Sequence, residues 1–318
     1  LLIFTDQGRV YGMKAWETPL GSRQSRGSHI RNLLESLRED ENIVSILPVS
    51  RELLEEPDDH YLLFATRLGL IKKTALSEYV RINRNGKYAL RFKIEGDSLV
   101  NVRSATNDHD IVMISTTGYA SRFSCGDIRA SGRVSGGVYG IKVGDRKGSG
   151  GGIVAGMVAM LSADEYILTI SKYGMAKRSR LGTAEKIHDT DASGAPKFED
   201  DGSPKMVTDG YRRTKPGAKG VRTMKLDEEH HDSIISVRTI PDIEDHLFLL
   251  TKSGMMIRIR VSQTKETSGK STRGTRVMEL RDKQKGGFTD EIIFSSRVSA
   301  SLLDVEDDEE VSELGEEE

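Results

Sequence analysis

One pattern occurs five times along these 318 residues: an apolar run, a Thr or Ser, two residues, a Gly, then a run carrying basic side chains. The corners are Thr5-Asp6-Gln7-Gly8, Thr66-Arg67-Leu68-Gly69, Ser115-Thr116-Thr117-Gly118, Ser171-Lys172-Tyr173-Gly174 and Thr251-Lys252-Ser253-Gly254. A glycine free to take positive φ between two β-rich runs is hairpin chemistry, so each instance predicts a β-hairpin. A second glycine follows: Gly8 leads to Gly27, Gly69 to Gly86, Gly118 to Gly136 and Gly254 to Gly274, at offsets of 19, 17, 18 and 20. Gly174 reaches Gly217 only after 43 residues, because a polar stretch of about 185–209 with Pro196, Pro204 and several Asp intervenes, which reads as an inserted, mobile surface loop. A strand after the second glycine and a last apolar strand (Ile43 to Val49, Leu99 to Val102, Ile153 to Leu161, Ile234 to Val237, Ile292 to Phe294) complete a unit.

Four short strands per unit of about fifty residues is the grammar of propeller blades, small twisted sheets that bury their faces only against neighbours. The expected class is all-β, with repeats at about 1–50, 60–106, 110–161, 165–240 and 246–302. Leu33, Leu34 and Leu37 have helical spacing within Arg31 to Glu41, but one or two helical turns there leave the class unchanged. Hydrophobic residues make up 36% and aromatics 6%, lean for one large core and suited to many small ones. One cysteine, Cys125, excludes an intramolecular disulfide framework and a cysteine zinc cluster. The longest apolar run, Ile153 to Leu161, is far short of the roughly 20 residues of a membrane helix. No membrane partner is expected, and a cytoplasmic location is.

The net charge of -2 hides a division. Residues 304–318 hold ten acidic side chains and no basic one, leaving 47 basic against 39 acidic in residues 1–303. The tail is expected to be a disordered polyanion, and the basic body points to a polyanionic partner.

Leu63-Phe64-Ala65-Thr66-x-x-Gly69-x-Ile71-Lys72-Lys73-Thr74-x-Leu76-Ser77-Glu78-Tyr79, with Arg26-Gly27-x-x-Ile30-x-Asn32-Leu33-Leu34 and Ile46-Leu47-Pro48-Val49, resembles the C-terminal domain of the DNA gyrase A subunit. The similarity runs from residue 1 to about 300. It implies a six-bladed β-pinwheel, a propeller variant whose blades exchange strands, of which five repeats are visible here. It also implies double-stranded DNA wrapped around a basic outer rim and delivered to a cleavage core elsewhere in an ATP-dependent type II topoisomerase. The implied partners are the rest of the gyrase A subunit and the gyrase B subunit, in a heterotetramer. The family's box Gln-Arg-Arg-Gly-Gly-Lys-Gly is not in this chain; its nearest relative is Thr214-Lys215-Pro216-Gly217-Ala218-Lys219-Gly220. Without the box, the topoisomerase IV A subunit stays open as an alternative, as does a protein-binding propeller scaffold. The repeat number and the acidic tail favour gyrase.

The recurring cations are the candidate DNA contacts. The hairpins supply Arg9, Lys14, Lys72, Lys73, Arg122, Lys177, Arg178, Arg180, Arg258 and Arg260. The glycine segments add Arg23, Arg26, Arg31, Arg84, Lys87, Arg91, Arg133, Lys142, Lys215, Lys219, Arg222, Lys225, Lys270, Arg273 and Arg276. Glycine beside Arg or Lys lets backbone N–H groups approach phosphate while the side chain neutralises it. Bending 20–30 base pairs by 40–90° costs of order 1–6 kcal/mol, and distributed phosphate contacts can outweigh that.

No catalytic set is visible. Asp108-His109-Asp110 and His230-His231 read as surface turns, so no metal is expected. Gly148-Ser149-Gly150-Gly151-Gly152 precedes a strand, and Ser268-Gly269-Lys270-Ser271-Thr272 lacks the first glycine of a phosphate loop, so no cofactor is expected. Tyr211 beside Arg212 and Arg213 lacks the acidic metal cluster of a DNA-cleaving tyrosine. Trp16, alone of its kind, reads as a packing residue of its blade rather than as a base-stacking platform.

Overall fold

The Thr/Ser-x-x-Gly corner closes on itself twice. The glycine N–H donates back to the Thr or Ser carbonyl, at 3.0 Å for Gly8 to Thr5, 3.1 Å for Gly69 to Thr66, 3.3 Å for Gly174 to Ser171 and 3.0 Å for Gly254 to Thr251. The hydroxyl then accepts from the residue after the glycine: Leu70 to Thr66 Oγ1 at 3.1 Å, Met175 to Ser171 Oγ at 3.3 Å, Met255 to Thr251 Oγ1 at 3.1 Å. The five glycines have φ of +74°, +94°, +80°, +82° and +89°, which a side chain would strain. The motif therefore needs its hydroxyl as much as its glycine.

A computed structural model describes residues 1–21, 27–55, 57–144, 152–190, 193, 195–267, 272–281 and 287–301. They form two compact units. The first comprises Leu1–Ser115, Ala120–Leu161 and Thr214–Gly220, and the second comprises Thr116–Tyr119, Ser162–Arg213 and the described part of Val221–Glu318.

In the first unit lie β1 (Leu2–Thr5), β2 (Arg9–Gly12), β3 (Ile43–Leu47), β4 (Tyr61–Thr66), β5 (Leu70–Ala75) and β6 (Lys87–Tyr88). They are followed by β7 (Leu99–Ala105), β8 (Asp110–Ser115), β9 (Tyr119–Ser124), β10 (Val138–Tyr139) and β11 (Val154–Met160). Two four-stranded antiparallel sheets run β3-β1-β2-β6 and β10-β5-β4-β7, and β11 lies beside the β8–β9 hairpin along β8. The second unit holds β12 (Tyr166–Ser171), β13 (Met175–Arg180), β14 (Lys186–His188), β15 (Met206–Thr208) and β16 (Val221–Arg222). It continues with β17 (Ile234–Ile240), β18 (His246–Thr251), β19 (Met256–Arg260), β20 (Thr275–Arg276) and β21 (Ile292–Val298). One sheet runs β17-β12-β13-β20, another β19-β18-β21, and β14 pairs β15 within the insertion.

The chain is thus all-β and propeller-like, as expected, but its blades are not cut where the sequence repeats are cut. β6 belongs to the second repeat and pairs with the first hairpin; β10 belongs to the third and pairs with the second; β20 belongs to the fifth and pairs with the fourth. This is the exchange of strands between blades that the family resemblance implies. The second, third and fifth repeats each supply three strands to themselves and one to their predecessor. That exchange suits short strands, since a two-residue strand buries little by itself and is held by the bonds at both of its ends. The helical turns are α1 (Ile30–Leu33) and α2 (Arg51–Glu55), too short to alter the class.

Cores are small and many. In the first unit Phe4, Phe64 and Tyr79 meet with ring centroids 5.6 Å and 5.9 Å apart, sealed by Leu62, Leu90, Leu99 and Val102. A second cluster gathers Ile71, Met113, Phe123 and Cys125. In the second unit Leu168, Ile170, Leu247, Leu249 and Ile292 do the same.

Candidate nucleic-acid interface

Strand exchange repeats one geometry. The carbonyl of the hairpin glycine accepts two N–H groups from the incoming segment: Gly8 from Ala89 and Leu90, Gly69 from Gly140 and Ile141, Gly118 from Thr223 and Met224, Gly174 from Val277 and Met278. At the other end the carbonyls of Lys73, Arg122 and Arg178 accept from Ser131, Thr214 and Thr267 at 2.9, 2.6 and 3.0 Å. Between these anchors the segment turns at Gly137, Gly220 and Gly274, with φ of +74°, +72° and +83°. A Cβ there would lie 2.3 Å from Ile71 O, 2.5 Å from Ala120 O and 2.3 Å from Ala176 O. These glycines, together with Gly86, precede the donated strands. In the third and fourth repeats the sequence reading placed that role on Gly136 and Gly217, one and three residues early.

Five hairpin cations expected on the surface are interior. Lys72 and Lys73 are 1% and 3% exposed, Arg122 and Lys177 2%, and Arg178 9%. Lys72 Nζ donates to Ala89 O at 2.5 Å and to Arg133 O, and burial lowers its pKa to about 7. Lys177 Nζ donates to Thr223 O at 2.5 Å, and burial lowers its pKa to about 8. Ala89 and Thr223 both stand three residues beyond the turning glycine, so each lysine ties down the segment that its own repeat donates. One position further on, Lys73 Nζ sits 4.2 Å from the Tyr61 ring centroid, Arg178 sits 5.0 Å from that of Tyr166, and Arg122 Nε donates to Asp110 Oδ2 at 3.0 Å. Tyr61, Asp110 and Tyr166 all open the first strand of their hairpin. These five cations recur because the blade needs them, which corrects their assignment as phosphate contacts. Asp110, expected in a surface turn, is buried as the partner of Arg122.

The cations of the exchanged segments behave differently. Arg84, Lys87, Arg91, Lys142, Lys215, Lys219, Lys225, Arg273 and Arg276 are exposed, as are the hairpin residues Lys14, Arg258 and Arg260. Arg9, Arg31, Arg133, Arg180 and Arg222 are half-buried. Several of these pair with acids, Arg84 with Glu17 at 2.7 Å, Arg133 with Glu78 at 3.5 Å, Arg180 with Asp164 at 2.6 Å and Arg276 with Glu279 at 2.6 Å, and pairs this exposed are weak and exchangeable. Arg23, Arg26, Lys270, the tail 304–318 and most of both glycine-rich stretches lie outside the described residues.

The box-like segment lies as a strap within the first unit. Thr214 Oγ1 donates to Arg122 O at 3.0 Å, Gly217 N to Gly140 O at 3.0 Å, and Ala218 O accepts from Lys142 N at 3.1 Å. Pro216 and Ala218 are half-buried between them, and Gly217 with φ +84° passes Tyr139 O so closely that a Cβ would meet it at 3.3 Å. With the backbone committed inward, Lys215 and Lys219 face solvent, and among the described residues no carboxylate lies within ion-pair distance of either. Arg212 and Arg213, also exposed, were read only in connection with Tyr211; their adjacency to the strap in sequence was the available signal.

Other chemistry is absent among the described residues. Tyr211 is 7% exposed, its hydroxyl bonded to Thr223 Oγ1 and its pKa raised by burial, which disqualifies it as a nucleophile. Asp227, Glu229 and His230 bring one ligand atom each within 4.8 Å, closer than the sequence suggested, but His230 Nδ1 is already engaged by Asp227 Oδ1 at 3.1 Å and no metal is assigned. Trp16 is not a packing residue: it is 80% exposed.

The model of the family described as DNA gyrase C-terminal domain, beta-propeller, matches residues 1–50, 60–106, 109–149, 205–241 and 245–285. The DNA gyrase A subunit of Staphylococcus epidermidis (strain ATCC 12228 / FDA PCI 1200) is 33% identical over 285 residues, 89% of this chain and 27% of that one. That of Deinococcus deserti is 35% identical over 286 residues, 89% of this chain and 30% of its own. The chain therefore spans less than a third of the length of these relatives. The C-terminal domain of DNA topoisomerase IV superposes with a TM-score of 0.70 at 21% identity, covering 94% of this chain and 79% of that one. The DNA gyrase A C-terminal domain superposes with a TM-score of 0.65 at 20% identity, covering 93% and 81%. Both likenesses speak to the fold alone. With its repeated corners, exchanged strands and family match over more than half its length, the chain belongs to the DNA gyrase C-terminal domain β-propeller family.

Proposed function

We propose that this chain binds and wraps double-stranded DNA for a gyrase, bending the duplex along the cations of its exchanged segments so that the holoenzyme introduces negative supercoils. One observation carries this reading: Lys87, Lys215, Lys219, Arg273 and Arg276 stand in solvent near the glycines that turn the exchanged strands, in several repeats, whereas five of the hairpin cations are consumed inside. A row of exposed cations on a fixed backbone is suited to phosphates at intervals along a curved path. Base-reading side chains form no recurring set, so preference is expected for bendable sequence over a consensus. Catalysis, ATP use and assembly with the remainder of the A subunit and with the B subunit belong to the longer protein. Kinship in sequence to gyrase A subunits favours gyrase over topoisomerase IV; the fold is common to both.

A mobility-shift titration with duplexes of increasing length across salt concentrations tests the reading. Wrapping requires affinity that grows with duplex length and falls steeply with salt. Absent or salt-insensitive binding would assign the chain to a protein partner instead.

A further inference from the structure

Four of the five hairpins run into a single 3-10 turn: Ala15–Glu17, Leu76–Tyr79, Cys125–Asp127 and Val261–Gln263. The last three turns share a register, and the first, which buries no residue, does not. In the last three the first residue is buried (Leu76, Cys125, Val261) and the second is exposed (Ser77, Gly126, Ser262). The first turn puts Trp16 at its second position, where the other repeats carry the smallest polar residues or none. Trp16 is 80% exposed. A tryptophan this exposed is uncommon, and large exposed aromatics mark contact surfaces.

The surroundings identify what the ring would meet. Lys14 Nζ lies 5.6 Å from the Trp16 ring centroid. Both line a groove of about 710 Å³ in the first unit, together with Arg51, Ile82 and Arg84, and Glu17 is the one acid among the groove's lining residues. Arg84 stands three residues before Lys87 in the segment exchanged into the first sheet, so the groove adjoins a row of exposed cations already assigned to phosphate. A flat apolar ring bracketed by cations, on a surface that must bend a duplex, has one apolar target: the edges or faces of bases at an opened step.

We propose that Trp16 is an apolar wedge for duplex DNA, packing against bases at a bent step while Lys14 and Arg84 hold the flanking phosphates. This rests on the DNA-wrapping reading and adds to it a fixed point at which the bend is placed. Flexible pyrimidine–purine steps open most readily, so the wedge favours them over stiff A-tracts.

Trp16 is the sole tryptophan of the 318 residues, so its emission reports this contact alone. Titrating the chain with linear duplex should shift the emission to the blue and protect it from acrylamide. Trp16→Ala should weaken duplex binding about tenfold, the loss of one stacked base, with an unchanged slope of log affinity against log salt, because no counterion is involved. Trp16→Phe should recover most of the affinity, and Lys14→Ala should lower the slope by about one. Salt-dependent duplex binding with Trp16 emission unmoved, or with Trp16→Ala binding like the parent, would overturn the wedge and leave DNA wrapping standing. An emission shift produced by polyglutamate and not by duplex would overturn it in favour of an acidic protein segment. A parent chain that binds no duplex would remove both.

Discussion

Lys72 and Lys177 have their charges held inside the blades. Each gives its amine to a carbonyl of an exchanged segment, and burial depresses each pKa from an ordinary 10.5 to about 7 and about 8. Arg133 adds to the depression at Lys72 and Glu78 opposes it. Because the folded pKa lies below the unfolded one, the unfolded chain binds more protons between them, and stability rises with pH across that window. Urea denaturation should therefore show the chain gaining stability from about pH 7 to about pH 10. Beyond that Tyr11 and Tyr79, whose pKa values are raised mainly by burial, reverse the trend. Lys72→Met should flatten the slope and, by stranding Arg133 O and leaving Ala89 O to the Tyr79 hydroxyl alone, cost about 1–3 kcal/mol. A variant with the parent's pH slope would show that this amine is not the group titrating. Arg122→Met should cost about 3–5 kcal/mol by leaving Asp110 buried without its partner, and Arg122→Met with Asp110→Leu should recover much of that loss.

At the scale of the element, exchange is governed by glycines at two kinds of corner, and only one kind tolerates a side chain. Gly96 has φ +74° with nothing within 4 Å of a built Cβ, whereas Gly137 and Gly274 combine positive φ with a backbone oxygen 2.3 Å away. Gly96→Ala should cost about 1 kcal/mol, the backbone strain alone. Gly137→Ala and Gly274→Ala should each cost at least about 3 kcal/mol and expose the amides of Gly140 and Ile141, or of Val277 and Met278, to hydrogen exchange. Equal costs at all three positions would mean that the close approach does not hold the segment. The β19 strand lacks an exchanged neighbour among the described residues, and Met255 and Met256 are 61% and 68% exposed beside it. That open edge explains why Arg258, which follows its hairpin glycine by the same four residues as buried Lys73, Arg122 and Arg178, is exposed.

For the whole molecule, charge acts by sum, and which cations enter the sum is decided by burial. Lys215→Ala and Lys219→Ala should each lower the salt slope of DNA binding by about one without affecting stability. Arg258→Glu with Arg260→Glu should weaken binding in a chain that still folds. Lys72→Glu with Lys73→Glu should instead unfold the blade, since it places two acids where carbonyls and the Tyr61 ring require donors. Far-ultraviolet circular dichroism beside the titration separates the outcomes, and a folded Lys72→Glu, Lys73→Glu chain with impaired binding would return those lysines to the surface.

Periodicity alone determined the all-β class, the five hairpins and the closing strands, because a corner needing both a hydroxyl and positive φ leaves a fixed spacing in any chain that repeats it. The insertion was legible for the same reason, as an interruption of that spacing. Sequence could not assign the fourth strand of each sheet, since Lys87–Tyr88 sits equally well beside its own hairpin or the preceding one until the bonds of Gly8 O are seen. Nor could it divide the cations. Lysine at the third position after a hairpin glycine and lysine beside a turning glycine are alike in composition, yet tertiary packing buries the first against a carbonyl and leaves the second in water. Burial is a property of what the rest of the chain brings alongside, and it reversed the reading of Trp16 as it did that of Lys72.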